Sequence, residues 1–258
     1  MKLGISYNVF DGEELLEYSI KCVRPLAHHI SVVYQTISNK GEKNITLENY
    51  LKELKTRKLI DFLYKYEPDL TISARENETK KRDIGLKIAK ANSMQYFMTM
   101  DTDELYDKKQ LVDALANFCI GDYDSSFCQM KTFYKVPTAE LVPPETYYVP
   151  LFYRINKHSQ IKQISDKDYP VTCDPTRRMR AGYVRVFTRD EIEMYHYSYV
   201  RNDIRSKIYN SSSGSNENEK KEILNHFNKW KDYKDGALLI GNQRFKLKEV
   251  PNKFEIKL

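Results

Sequence analysis

Apolar and polar positions along the first hundred residues switch between two periods. Lys2–Phe10, KLGISYNVF, is a short β-type run. In DGEELLEYSIKCV, which follows, Leu15, Leu16, Tyr18, Ile20 and Val23 recur at mainly helical spacing, and Asp11 stands three residues before Glu14 like a capping box. HISVVYQT, His29–Thr36, predicts a second buried strand. ITLENYLKELKTRKLIDFLYKY carries Leu47, Tyr50, Leu51, Leu54, Leu59, Phe62 and Leu63 on one helical stripe. LTISAR predicts a third strand, KKRDIGLKIAKANS another amphipathic helix, and QYFMTM a fourth strand. Such alternation predicts a parallel sheet covered by helices through right-handed crossovers.

Beyond Asp107 one more helix, KKQLVDALANFC, is followed by a change of pattern. SSFCQMKTFYKV, TYYVPLFYRI and AGYVRVF predict longer strands separated by Pro-bearing loops, as in a mixed or antiparallel half. Residues 210–222, NSSSGSNENEKKE, form the one low-complexity patch and predict a surface loop between two helices. The tail RFKLKEVPNKFEIKL alternates like a late hairpin or an arm. The expected organisation is a first half over residues 1–106, a second half of the same domain over 107–209, and a helical and β extension over 210–258.

Composition narrows the class. No apolar run approaches the roughly 20 residues a membrane span requires, and MKLGISYNVF lacks the features of a signal peptide, so the cytoplasm is the expected location. Cys22, Cys119, Cys128 and Cys173 show no CxxC spacing, which predicts free thiols. A net charge of +6 fits either a solvated basic surface or an anionic partner. The 20 tyrosines, interleaved with Lys and Arg in YHYSYVRNDIRSKIY, suit stacking and phosphate contacts as well as ordinary strand packing.

The chemistry concentrates in QYFMTMDTDELY, where an apolar strand runs into Asp101, Asp103 and Glu104. Ligands of open α/β sheets sit beyond the carboxyl ends of the parallel strands. In an extended segment Asp101 and Asp103 would leave the same side and address one ion or one ion-bound diphosphate. Oxygen ligands of this kind suit Mg²⁺ or Mn²⁺. A wet turn or a helix cap is the plain alternative. A haloacid-dehalogenase-type phosphatase also carries DxD after a strand, but on its first strand, whereas several β/α units precede it here.

Arg82-Asp83-Ile84-Gly85-Leu86 followed by Asp101-Thr102-Asp103 resembles the core of nucleotide-sugar-dependent glycosyltransferases of the GT-A fold, in particular the family-2-like enzymes. The opening strand GISYNVFDGEELLEYSI is similar to theirs as well, and the resemblance covers about residues 2–106. Asp83 stands where Asn is usual, and strand two ends in Tyr34-Gln35-Thr36 without an acidic residue. The resemblance implies a GT-A, Rossmann-like mixed α/β sheet with helices on both faces and a smaller acceptor-side half. It also implies a nucleoside-diphosphate sugar, such as a UDP-sugar, as donor.

By the same resemblance Asp103 would ligate the metal, and Asp101 would reach the ribose or the metal through water. Arg82 would face the base or diphosphate, Asn8 and Phe10 would line the nucleoside pocket, and His196 would close the metal site. Arg201, Arg205 and Lys207 are either a solvated face or contacts to a diphosphate or acceptor phosphate. Arg177, Arg178 and Arg180 read as a charge run on a loop, with contacts to DNA phosphates by Arg177 and Arg178 as the alternative. The reaction needs a base for the acceptor hydroxyl, and among the downstream acids Asp174, in a Pro-bounded loop, is the first choice. Inversion and retention both stay open. The acceptor is either a glycan or a hydroxymethylated base in DNA, flipped out of the duplex and held by the basic, Tyr-rich second half. A nucleotide-sugar-binding module without turnover is the non-enzymatic alternative.

Overall fold

The computed structural model describes residues 1–180, 182–210 and 216–258. Its elements in chain order are β1 (Leu3–Val9), α1 (Glu13–Val23), β2 (His29–Tyr34), α2 (Leu47–Thr56), β3 (Phe62–Lys65), α3 (Ala74–Ala91), β4 (Tyr96–Met100), β5 (Glu104–Tyr106), α4 (Lys108–Ile120), β6 (Ser125–Tyr134), β7 (Ala139–Val142), β8 (Tyr148–Arg154), β9 (Val184–Val186), β10 (Glu193–Tyr199), α5 (Ile204–Asn210), α6 (Glu217–Lys229), β11 (Ala237–Leu239) and β12 (Gln243–Glu249). Residues 211–215 of the expected low-complexity loop lie outside the described residues.

The strands join in one sheet whose main path runs β11, β12, β7, β6, β8, β4, β1, β2, β3. β4, β1, β2 and β3 are parallel, while β8 is antiparallel to β4 and β6 antiparallel to β8. β10 runs parallel to β6 and antiparallel to β5. This is the mixed, Rossmann-like α/β arrangement the sequence leads one to expect. β1 is flanked by β2 on one side and β4 on the other, so chain order reverses there, and a crevice opens at the carboxyl ends of these strands.

Side-chain alternation sets the faces. In β1, Leu3, Ile5, Tyr7 and Val9 share one core with Leu16, Ile20 and Val23 of α1, Leu51 and Leu54 of α2, and Leu111 and Leu115 of α4. Gly4 and Ser6 point the other way, toward α3. In β4, Met98 and Met100 belong to the first face, whereas Phe97 packs with Leu86 and Ala89 of α3. Helices therefore cover both faces. α3 approaches closely because Gly85 meets Ser6: a Cβ at position 85 would lie 2.1 Å from Ser6 Oγ and 2.6 Å from Ser6 Cβ.

Three local expectations are corrected. The helix expected through residue 66 ends at Thr56; Lys58 takes a left-handed φ of 59°, and Phe62–Lys65 becomes edge strand β3 beside β2. Apolar residues every three or four positions fit a short edge strand as well as a helix, and pairing with β2 decided it. LTISAR is no strand, because Ser73 and Glu76 make a reciprocal capping box that starts α3 at Ala74. Asp11 forms no capping box: Gly12 caps α1 with a φ of 82°, and the Asp11 carboxylate turns toward Arg201. Glu193–Tyr199, assigned no element from the sequence, is strand β10.

Of the expected tail only the part up to Glu249 is a strand, β12, which pairs in a hairpin with β11 ahead of that stretch and also with β7. Ala237, Leu238 and Leu239 make a separate small core with Ile204, Ile208, Ile223 and Phe227. The last residues return to the first helix, where Lys257 N donates to Tyr18 Oη at 3.1 Å. Among the described residues no helix is long and apolar enough to cross a membrane, and all four cysteines are free.

Gly85→Ala is expected to destabilise the chain by about 1–3 kcal/mol, since neither Ser6 Cβ nor the helix can yield without moving backbone. Thermal unfolding should fall by several degrees, and Ser6→Gly in the same chain should restore part of the loss.

Candidate active site

β4 delivers its side chains in register with α3. Thr99 and Asp101, two residues apart, continue the face begun by Phe97, and Arg82 of α3 spans both. Its Nη1 donates to Thr99 Oγ1 at 3.2 Å and its Nη2 to Asp101 at 2.9 and 3.1 Å. Arg82 is 2% exposed. Its Nε donates to Thr176 Oγ1 at 3.2 Å, which ties α3 to the loop after Asp174.

The chain turns at Thr102 and Asp103 rather than staying extended. The two carboxylates consequently meet different cations. Asp101 is also bound by Arg177 Nη2 at 2.5 Å, and the same guanidinium binds Glu104. Asp103, 1% exposed, accepts from Arg201 Nη2 at 2.6 Å and Lys207 Nζ at 3.2 Å. Arg201 also reaches Asp11 at 3.3 Å. Gly12 makes room for this, since a Cβ there would stand 2.5 Å from Arg201 Nη1 and 2.3 Å from Thr102 Oγ1.

Pairing of β10 with β5 sets His196 opposite Glu104. Its Nε2 lies 3.8 Å from Asp103 Oδ1, an oxygen that is buried and has no hydrogen-bond partner. Burial, opposed by Asp103, holds the imidazole below its ordinary pKa. Burial would raise the pKa of Asp103, but Lys207, Arg201 and His196 outweigh it and keep the carboxyl well below the usual range. Glu104 goes the other way. Burial, against the pull of Arg177, pushes it up to about 7.

These groups line one cleft of about 280 Å³ at the carboxyl ends of β1, β2 and β4. Every residue expected in the site borders it: Asn8, Phe10, Arg82, Asp101, Asp103, Asp174, His196 and Arg201. Asp174 Oδ1 accepts from Thr176 N and Oγ1, both at 2.8 Å, and its Oδ2 stands 3.5 Å from Arg177 Nε and 3.8 Å from Arg82. At the end of the cleft beside β1 and β2, Asn8 Oδ1 and Gln35 Oε1 are buried without partners.

Sequence reasoning missed several members of the cleft. Asp11 had been read as a cap, Gln35 as the lack of an acid, and Lys81 and Glu78 not at all. Helical spacing was the available signal for the last two, since positions 78, 81, 82 and 85 share one face of α3 with the closely packed Gly85. Arg177 and Arg178 are corrected from a loop charge run to buried residues, 6% and 1% exposed. Arg178 bonds the carbonyls of Ile164 and Cys173, each at 2.7 Å, together with Asp166. With Arg201 they are buried in ion pairs and are not displayed on a surface where a DNA backbone could meet them.

No protein-family model and no curated protein matches the sequence. Among solved structures, TarS of S. aureus shares 17% identity at a TM-score of 0.48, over 88% of this chain and 43% of that one. TarS 1–349 in complex with UDP-GlcNAc shares 14% at 0.48, over 88% and 71%. GalNAc-T7 with UDP, GalNAc and Mn²⁺ shares 13% at 0.40, over 52% and 24%. The chain thus spans less than half the length of the longer TarS chain, and at these identities the likeness extends to the course of the chain alone.

Arg201→Met leaves Asp103 buried with Lys207 as its remaining bonded cation. A loss of about 3–5 kcal/mol in denaturant unfolding is expected. A loss below about 1 kcal/mol would mean that Lys207 alone satisfies Asp103.

Proposed function

We propose that the chain is a glycosyltransferase that moves a sugar from a nucleoside-diphosphate sugar, such as a UDP-sugar, to an acceptor hydroxyl. The observation that carries this reading is the make-up of the cleft: unpartnered amide oxygens at the ends of β1 and β2, and Arg82, Arg177, Arg201 and Lys207 gathered around Asp101 and Asp103. The first suits the polar edge of a base. The second suits a diphosphate whose negative charge grows as the bond to the anomeric carbon breaks.

The donor set fits a divalent cation such as Mn²⁺ or Mg²⁺ in part. Asp103 Oδ1 lacks a hydrogen-bond partner and faces His196 Nε2, an oxygen–nitrogen pair suited to such an ion, with substrate phosphates and water completing its shell. Among the described residues no cluster of three His, Cys, Asp or Glu side chains could hold a metal by itself. When bound, the ion would add positive charge beside the leaving diphosphate. Arg201 and Lys207 hold the other Asp103 oxygen in place, and Asp101 keeps Arg82 and Arg177 oriented toward the cleft.

Asp174 is the proposed base. Thr176 fixes one of its oxygens, and the side chain is the part of this acidic cluster that stays 31% exposed together with Asp101, where an acceptor hydroxyl could approach. The acceptor we favour is a glycan hydroxyl, because Arg177, Arg178 and Arg201 are buried inside the chain or within the cleft and form no exposed face along which a DNA backbone could lie. A non-catalytic sugar-nucleotide-binding module is the second reading, favoured by the neutralisation of Asp101 and Asp103 by the chain's own cations.

A panel of sugar nucleotides with Mn²⁺ or Mg²⁺, scored by release of the nucleoside diphosphate, tests turnover. Asp103→Asn is expected to reduce release at least about a hundredfold at saturating metal, a loss of several kcal/mol of transition-state stabilisation. Wild-type rates in that variant would overturn the assignment, and sugar-nucleotide binding without release by the wild type would establish the binding module.

A further inference from the structure

Of the five Lys and Arg side chains that line the cleft, four face a carboxylate: Arg82, Arg177, Arg201 and Lys207. The fifth, Lys81, is 3% exposed. Among the described residues it makes no ion pair and no hydrogen bond of its own. α3 explains why it is there. Lys81 stands one turn before Gly85, whose contact with Ser6 presses this face of the helix onto β1 and carries the ammonium to the strand ends.

The charged groups facing Lys81 are Glu78 and Arg82 on its own helix, Asp101 at the end of β4 and Asp11 after β1. Asp101 is bonded to Arg82 and Arg177, and Asp11 is paired with Arg201. A buried ammonium with no ion pair or hydrogen bond bears a desolvation penalty that Glu78, beyond ion-pair distance, offsets only in part. Burial, with Glu78 opposing it, pushes this ammonium down to about 8.

We propose that Lys81 is a donor-positioning residue whose unpaired ammonium receives a phosphate oxygen of the nucleoside diphosphate. The inference rests on the nucleotide-sugar reading above and adds to it a residue and a consequence. An arriving anion raises the pKa of the ammonium, so binding takes up a proton wherever Lys81 is neutral in the free chain. Below about pH 8 Lys81 is already charged and affinity is complete. As pH climbs through the free-state value toward the bound one, affinity declines.

UDP and methyl diphosphate would be titrated into the full chain with Mg²⁺ by calorimetry, at about pH 7 and about pH 9, in buffers of different ionisation enthalpy. The wild type should lose about fivefold in affinity between the two and take up part of a proton at the higher pH, as expected for a coupling of about one pKa unit. Lys81→Met should bind about tenfold more weakly at the lower pH and take up no proton from this source. Lys81→Arg should bind at both pH values without the uptake. Lys81→Met should also melt close to the wild type, because no ion pair or hydrogen bond is broken; a lowered midpoint with unchanged binding would assign Lys81 a purely structural role and overturn the inference.

Uptake and affinity unchanged in Lys81→Met would overturn it too, while leaving the nucleotide-sugar reading intact. Methyl diphosphate binding that depends on Lys81, with UDP no tighter, would uphold the anion site and remove the nucleoside. Absence of binding by either ligand to the wild type would overturn both.

Discussion

Asp103 is almost wholly withdrawn from water, and a carboxylate in that position has to be met by positive charge from within the chain. Nothing on its own strand supplies it. Arg201 and Lys207 do, from roughly a hundred residues further along, and Arg177 does the same for Asp101 and Glu104. These ion pairs fasten the second half of the chain to the strand ends of the first. Fold and cleft therefore share one cause: the acids that mark the site are also the anchor points for the segments that wall it.

The parallel strands form the floor and fix spacing with little freedom. Alternation along β4 gives Thr99 and Asp101 to the α3 side and Met98 and Met100 to the opposite core, so Arg82 can bridge the first pair while the second stays dry. The walls are different in kind. The loop around Asp174 and the segment from Arg201 to Asn210 add charge and hydrogen bonding to a small number of core contacts, those of Cys173, Ile204 and Ile208. Asn210 Nδ2 donates to Glu42 at 2.6 Å, which closes the side of the cleft next to β2. A cleft with a rigid floor and electrostatically held walls is suited to exchanging its internal anions for those of a ligand.

Within the site, the carboxylates and cations are nearly matched, and that balance shapes the chemistry available. Four guanidinium and ammonium groups are committed to carboxylates in the free chain, so the proposed diphosphate would compete with Asp101 and Asp103 for them. A cation beside Asp103 Oδ1 would relieve that competition by taking the carboxylate as the phosphates take the bases. Lys81 stands outside the exchange, since no carboxylate has to release it.

The resemblance to a known enzyme family singled out Asn8, Phe10, Arg82, Asp103 and His196 as site candidates; periodicity and short-range motifs determined much of the parallel half from the sequence alone: β1, α1, β2, α3 and β4 in order, with Asp101 at a strand's carboxyl end. Those signals are local, and local physics fixes them: side chains repeat every two or 3.6 residues whatever the rest of the chain does. Tertiary structure decided what local physics leaves degenerate. Phe62–Lys65 became a strand because β2 offered an edge, and Asp11 left its helix because Arg201 needed an anion. Arg177 and Arg178, indistinguishable in sequence from a surface charge run, are buried where Asp101 and Glu104 pair with the first, and Asp166 and the carbonyls of Ile164 and Cys173 bind the second. Whether a charge lies in water or in the interior depends on which partner the fold brings to it, and that partner is distant in sequence.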